Sequence, residues 1–358
     1  MQLRRSSRSR WFVVFVALGI FVAGCGGETP GASPGGESGG GEGISVGVAY
    51  DIGGIGDQSF NDAANRGLQA AIDEGLVAEG DTESIEPNAT GSNRDDNVVT
   101  LAEEGFDLVV AVGFAFSPGI DETAKEFPDV NFAVVDGFAA EADNVTNLTF
   151  REEEGSFLVG AAAAEKSESG TIGFLGGQAG TGLIEKFEAG FTAGAEEVNP
   201  DIEVLVEYIG DSTAAFNDPT KGEALSAKMY DGGADVIYHA SGASGAGLFK
   251  AAVENDALAI GVDSDQSLTA SAEQRQLILT SMLKRVDTTV HDAIEQTRDD
   301  NFKTGFQTFG LSEQGVDYAV NQYNDNDQLL SSSIQETLDG FKQEIIDGNI
   351  KVPAEPAG

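Results

Sequence analysis

The residues best placed for chemistry stand at the ends of short apolar runs. Asp51 follows the run Ile44–Tyr50 and opens Asp51-Ile-Gly-Gly-Ile-Gly-Asp57-Gln-Ser59-Phe60-Asn61, a glycine-rich turn into a polar helix start. Backbone N–H groups at such a start lack partners within the helix and can bind a ligand. Asp57 or Ser59 is the right type to cap it. The glycines alone suit a plain strand-to-helix turn equally well. Asp136 and Asp263 end two further apolar runs, and Lys284 follows a third. With 60 Asp and Glu in the chain, most carboxylates are solvated surface groups. A place at the carboxyl end of a strand separates these few from the rest.

Catalytic readings fail for want of parts. Gly53-Gly54-Ile55-Gly56 lacks the Gly-x-Gly-x-x-Gly spacing of a dinucleotide site. Gly242-Ala-Ser244-Gly-Ala misses the last glycine of a nucleophile elbow. The two histidines, His239 at a strand end and His291 in mid-helix, make no metal-ligand spacing and pair with no plausible serine. His239 reads as a polar wall residue near a cleft and His291 as exposed. No enzyme, metal or cofactor is expected. Asn88-Ala-Thr90, Asn144-Val-Thr146 and Asn147-Leu-Thr149 match glycosylation acceptors and read as chance occurrences.

The elements that must position these residues alternate. β-Branched runs predict strands over 44–50, 108–113, 131–136, 171–175, 203–208, 236–239, 259–262 and 277–282. Longer periodic stretches predict helices over 58–74, 94–104, 152–165, 184–198, 216–230, 248–255 and 285–298. A run such as Leu108-Val-Val-Ala-Val112 is apolar on both faces, as in parallel strands covered by helices. The pattern is α/β, and its architecture repeats: one series from Ile44 to about Phe150, another from near Thr171. Two lobes built this way leave a cleft lined by strand ends.

The order of motifs resembles the basic membrane lipoprotein family, which includes purine nucleoside receptor lipoproteins. The resemblance begins at Asp51-x-Gly-Gly-x-x-Asp57-x-Ser59-Phe60-Asn61 and runs through Val134-Val-Asp136-Gly, Glu153-x-Gly155-Ser-Phe157-Leu-x-Gly160 and Gly173-Phe-Leu-Gly-Gly177. It continues with Phe187-x-x-Gly190-Phe191-x-x-Gly194, Gly261-Val-Asp263-Ser-Asp265-Gln266 and Thr280-Ser-x-x-Lys284-Arg285. It covers the body from Ile44 to Pro353. It implies a type 1 periplasmic-binding fold, two doubly wound lobes with parallel sheets that close on a ligand. Lobe 1 is then 44–150 plus about 270–312, and lobe 2 is 151–269 plus about 313–353. It further implies a substrate-binding protein of an ABC importer, working with permease subunits and a cytoplasmic ATPase. A nucleoside is the implied ligand, with a sugar or another small polar molecule as the alternative. Phe60 and Phe187 match positions that sandwich the base, where stacking is worth ~1–3 kcal/mol per ring. Asp263 and Lys284 match positions that hold the ribose, and Gly242 one where backbone approaches it. Asp51, Asn61 and Asp136 suit the base edge. Phe157 and Phe191 read as core.

The N-terminus reads as an export signal. Arg4, Arg5, Arg8 and Arg10 precede an uncharged run from Trp11 to Ala23, shorter than the ~20 residues that span a bilayer. Val22-Ala-Gly-Cys25 ends it at the chain's single cysteine, a lipobox pattern. Residues 26–43 are a Gly/Ser-rich tether. The expected location is the extracytoplasmic face of the cell membrane, lipid-anchored and monomeric. Removing four arginines takes the formal charge from −40 to −44. This disfavours nucleic acid as a partner and reads as a halophile's surface, with repulsion screened by salt.

Overall fold

The computed structural model describes residues 43–139, 142–323 and 329–357. The expected signal segment, Cys25 and the tether up to residue 42 lie outside them. No helix among the described residues is long and apolar enough to cross a membrane.

The first sheet contains β1 (Ile44–Ala49), β2 (Val77–Ile85), β3 (Leu108–Val112), β4 (Asn131–Val135), β5 (Val145–Phe150) and β11 (Gly305–Phe309). Its order is β11-β5-β4-β3-β1-β2, and every neighbouring pair is parallel. The second contains β6 (Thr171–Gln178), β7 (Glu203–Gly210), β8 (Val236–Ala240), β9 (Leu258–Asp263), β10 (Ile278–Lys284) and β12 (Val316–Tyr318). Its order is β12-β10-β9-β8-β6-β7, with β12 alone antiparallel. All residues of β3 and β8 are buried, because helices cover both faces of each sheet. Edge strand β2, Val-Ala-Glu-Gly-Asp-Thr-Glu-Ser-Ile, is mostly exposed. Its charges blunt an open sheet edge and hide the strand from a search for apolar runs.

Helix packing explains several glycines of the family-like motifs. In the second lobe α4 (Glu152–Lys166) crosses α5 (Ile184–Val198) at close range. A Cβ on Gly160, Gly190 or Gly194 would run into the backbone oxygen of Phe191, Glu153 or Phe157 respectively. In the first lobe, α1 (Phe60–Asp73) packs on α8 (Val286–Arg298), and Gly67 leaves room for the Asp287 carbonyl.

One expected boundary is corrected. The first lobe is expected to take up residues about 270–312, but β10 pairs with β9 in the second sheet. The chain returns to the first lobe only after Lys284, where α8 packs against α1 and the first sheet. The apolar run of β10 fits either sheet equally, so only pairing across the chain decides its place.

Candidate functional site

The carboxyl ends of the central strands of both sheets face one cleft. Asp51, Phe60, Asn61, Asp136, Phe187, Gly242, Asp263 and Lys284 all line it. All eight sequence-selected residues thus share one site. About 580 Å³ of empty space lies within the cleft, its open mouth included.

Matching positions of the two lobes supply matching acids. Asp136 follows β4 and Asp263 ends β9, equivalent strands by sheet order. Both have left-handed backbone, with φ of 57° and 64°. Aspartate tolerates this conformation better than most residues. Such backbone at a strand end is characteristic of functional sites.

At the floor of the cleft stands the buried Lys284 ammonium. It lies 2.7 Å from Asp136 and 3.0 Å from Glu152. Phe60, Phe150 and Phe187 surround it, with ring centroids at 5.3, 4.9 and 5.5 Å, within cation–π range. Burial pulls the Lys284 pKa down, but Asp136, Glu152 and Asp263 together hold it above its ordinary value. Burial pushes Asp136 up against the opposing pull of Lys284, and raises Asp263 to about 6. The lysine is therefore charged at neutral pH, while Asp263 changes charge just below it. The ion pair sets Asp136 beside Lys284, a residue expected at the sugar.

The glycine-rich turn is organised by Asp57. Its carboxylate accepts from the backbone N–H groups of Ser59, Asn61 and Asp62 and from the Asn61 amide. Asp57 is thus the cap; Ser59 makes no capping bond and donates its hydroxyl to Asp263 in the opposite lobe. Asn61 accepts from the Asp51 N–H at 3.1 Å. Burial raises the Asp51 pKa against the pull of Arg94, which lies 2.5 Å from it.

Several residues at this site escaped sequence reasoning. Glu152 bridges Lys284 and Lys186, the latter at 3.1 Å; in sequence it is one of three successive acids opening a helix. Arg94 likewise reads as a helix-start surface charge. Phe114 and Phe216, from opposite lobes, line the cleft with centroids 6.3 Å apart. Phe187 is only 3% exposed, whereas Phe60, Phe114 and Phe216 keep partial exposure. His239 is fully buried beside Ser241 and Gln266 instead of forming cleft wall. His291 is half-buried and meets Glu74 at 3.2 Å. Asn144 donates to three backbone carbonyls and Asn147 is buried, so neither offers a glycan a foothold. No cluster of His, Cys, Asp and Glu suited to a metal occurs among the described residues.

Comparison with known proteins extends this geometry. The profile of the family described as ABC transporter substrate-binding protein PnrA-like matches residues 44–356. A CD4+ T-cell-stimulating antigen of Listeria monocytogenes is 33% identical over 357 residues, 96% of this chain and 97% of its own. The ABC transporter nucleoside-binding protein BmpA of Lactococcus lactis subsp. cremoris is 32% identical, covering 87% of this chain and 90% of its own. Among solved structures, an ABC transporter solute-binding protein of Aeropyrum pernix K1 superposes with a TM-score of 0.74 at 26% identity. It covers 87% of this chain and 94% of its own. The family and its structural neighbours are solute-binding proteins and transcription regulators, not enzymes. The expected type 1 periplasmic-binding fold is borne out by the two parallel-sheet lobes and these neighbours.

Proposed function

This chain belongs to the PnrA-like family of ABC transporter substrate-binding proteins, and from that premise we propose that it captures a nucleoside, with a purine as base. One observation carries the ligand reading. The cleft joins a buried acid–lysine group at its floor to partly exposed rings from both lobes. Ribose hydroxyls can donate to Asp263 and accept from Lys284. Gly242, with φ of 56°, lets backbone approach without a side chain in the way. The base lies outward from that floor, against Phe60, with Asp51 and Asn61 at its edge. Phe187 is the expected second ring, but its burial beside Lys284 favours Phe216 in that role. The base then bridges the lobes and favours closure by its greater affinity for the closed state.

We further place the protein on the extracytoplasmic face, anchored through Cys25 and acting as a monomer. There it would deliver its ligand to a permease coupled to a cytoplasmic ATPase. Mass spectrometry of small molecules released from gently purified protein tests the ligand. Calorimetry with adenosine, guanosine, their 2′-deoxy analogues and the free bases then ranks the groups recognised. Binding of a free sugar but of no nucleoside would leave the family standing and overturn the ligand.

A further inference from the structure

The end of β9 and the segment after it touch the first lobe at three points, and two of them involve no group assigned to the ligand. Ser59 donates to Asp263, Arg66 to the Ser264 hydroxyl at 2.6 Å, and the Gln266 amide to the Gln58 carbonyl at 3.1 Å. Gln266 is 2% exposed, and its orientation is fixed from both sides. Its oxygen accepts from the Val262 N–H at 2.8 Å, a group that can only donate. Its nitrogen must then face the Gln58 carbonyl, which can only accept. The same oxygen is 2.9 Å from His239 Nε2, so that ring nitrogen carries the proton, and Nδ1 accepts from Ser241. Burial holds His239 neutral, with its pKa lowered to about 4.

The seat for this side chain is built in. A Cβ on Gly261 would collide with the Gln266 oxygen and the Ser281 hydroxyl, while Ser281 accepts from the Gln266 N–H at 3.1 Å. On the far side, Gln58 has left-handed backbone with φ of 56°. That conformation turns its carbonyl toward the second lobe just before Phe60 and Asn61. We infer that Gln266, held in place by His239, is a positioning residue that bonds the glycine-rich turn when the lobes meet and so sets how readily the cleft closes. The inference rests on the reading of this cleft as a site that closes around its ligand. Gln266 acts through the Gln58 carbonyl and not through the ligand, so its loss weakens every ligand by one common factor. A neutral hydrogen bond of ordinary strength corresponds to about 3- to 10-fold.

Two variants of the full-length chain test this. Gln266→Ala removes the bond together with the side chain's contacts inside its own lobe. Gln266→Glu, read at pH 9 so that its carboxyl is ionised, keeps an acceptor for Val262 and His239 but turns a second oxygen toward the Gln58 carbonyl and loses the bond between lobes; protonated, it would donate that bond again. Fluorophores on Glu122→Cys and Glu254→Cys, in a Cys25→Ser background, report the separation of the lobes without ligand. Calorimetry with adenosine and adenine reports affinity. Both variants are expected to shift the ligand-free protein toward larger separations and to weaken adenosine and adenine alike, about 3- to 10-fold. An unchanged separation in Gln266→Glu overturns the inference, as does a loss confined to adenosine, which would make Gln266 a sugar contact. If Gln266→Ala does not fold, Gln266→Glu decides alone. The separation measurement uses no ligand, so it stands or falls apart from the nucleoside reading.

Discussion

Lowering the pH from 7.5 to 5.0 should weaken nucleoside binding about tenfold, through Asp263. This carboxyl is buried at the cleft, and burial raises its pKa to about 6. A carboxylate that accepts from two ribose hydroxyls is needed in its ionised form. With a pKa near 6, about 97% of the group is ionised at pH 7.5 and about 9% at pH 5.0, a tenfold loss or ~1.4 kcal/mol. Stability linkage runs the other way. The folded-state pKa lies above the ordinary value of 3.8, so the folded protein holds this proton more tightly than the unfolded chain. The stabilising contribution of Asp263 is full below pH 3.8 and is lost as pH rises through about 6. Acidification therefore weakens the ligand while this group favours the fold, which separates loss of binding from loss of structure. Calorimetry with adenosine and adenine across pH 5.0–7.5, on the parent and on Asp263→Asn, measures the effect. Adenosine should show the slope, adenine should not, and Asp263→Asn should bind weakly with a flatter profile, the remaining slope coming from Asp136, which burial also raises to about 6. A slope that persists unchanged in Asp263→Asn would refute the assignment.

Four other outcomes are expected. Phe60→Ala should weaken nucleosides by ~1–3 kcal/mol, about 5- to 150-fold, and Phe216→Ala by a similar amount; an equal loss in Phe187→Ala and none in Phe216→Ala would restore Phe187 as the second ring. Gly194→Ala should destabilise the protein by ~1–3 kcal/mol, since its Cβ meets the Phe157 carbonyl, and unchanged urea unfolding would show that α4 and α5 separate freely. The melting temperature should fall between 1 M and 0.1 M salt as screening lengthens from ~3 Å to ~10 Å around the formal −40 charge; a flat curve would count against a halophile's surface. Cys25→Ser should fold and bind ligand yet fractionate away from membranes once its signal is cleaved; retention in the membrane pellet would remove the lipid anchor from the picture.

Local pattern was enough for the fold class and for the strand-end residues Asp51, Asp136, Asp263 and Lys284, whereas Phe60, Phe187 and Gly242 were singled out by the family resemblance. An apolar five-residue run such as Leu108–Val112 declares a covered parallel strand by itself. An acid at the end of such a run is delivered to the same rim as every other strand end. Strands without that pattern stayed hidden: β2 is charged, β5 alternates Thr and Asn with apolar residues, and β12 has three residues.

Tertiary structure decided everything that depends on a partner far along the chain. Lys284 meets Asp136 and Glu152, Asp263 meets Ser59, and Gln266 meets Gln58 across about 130 to 210 positions of sequence. It placed β10 in the second lobe, buried Phe187 and made Asp57 the helix cap. A residue's periodicity records which face of its own element is covered. The charge, ring or carbonyl waiting on the opposite face is set by how two sheets and their helices pack, and that is a property of the whole chain.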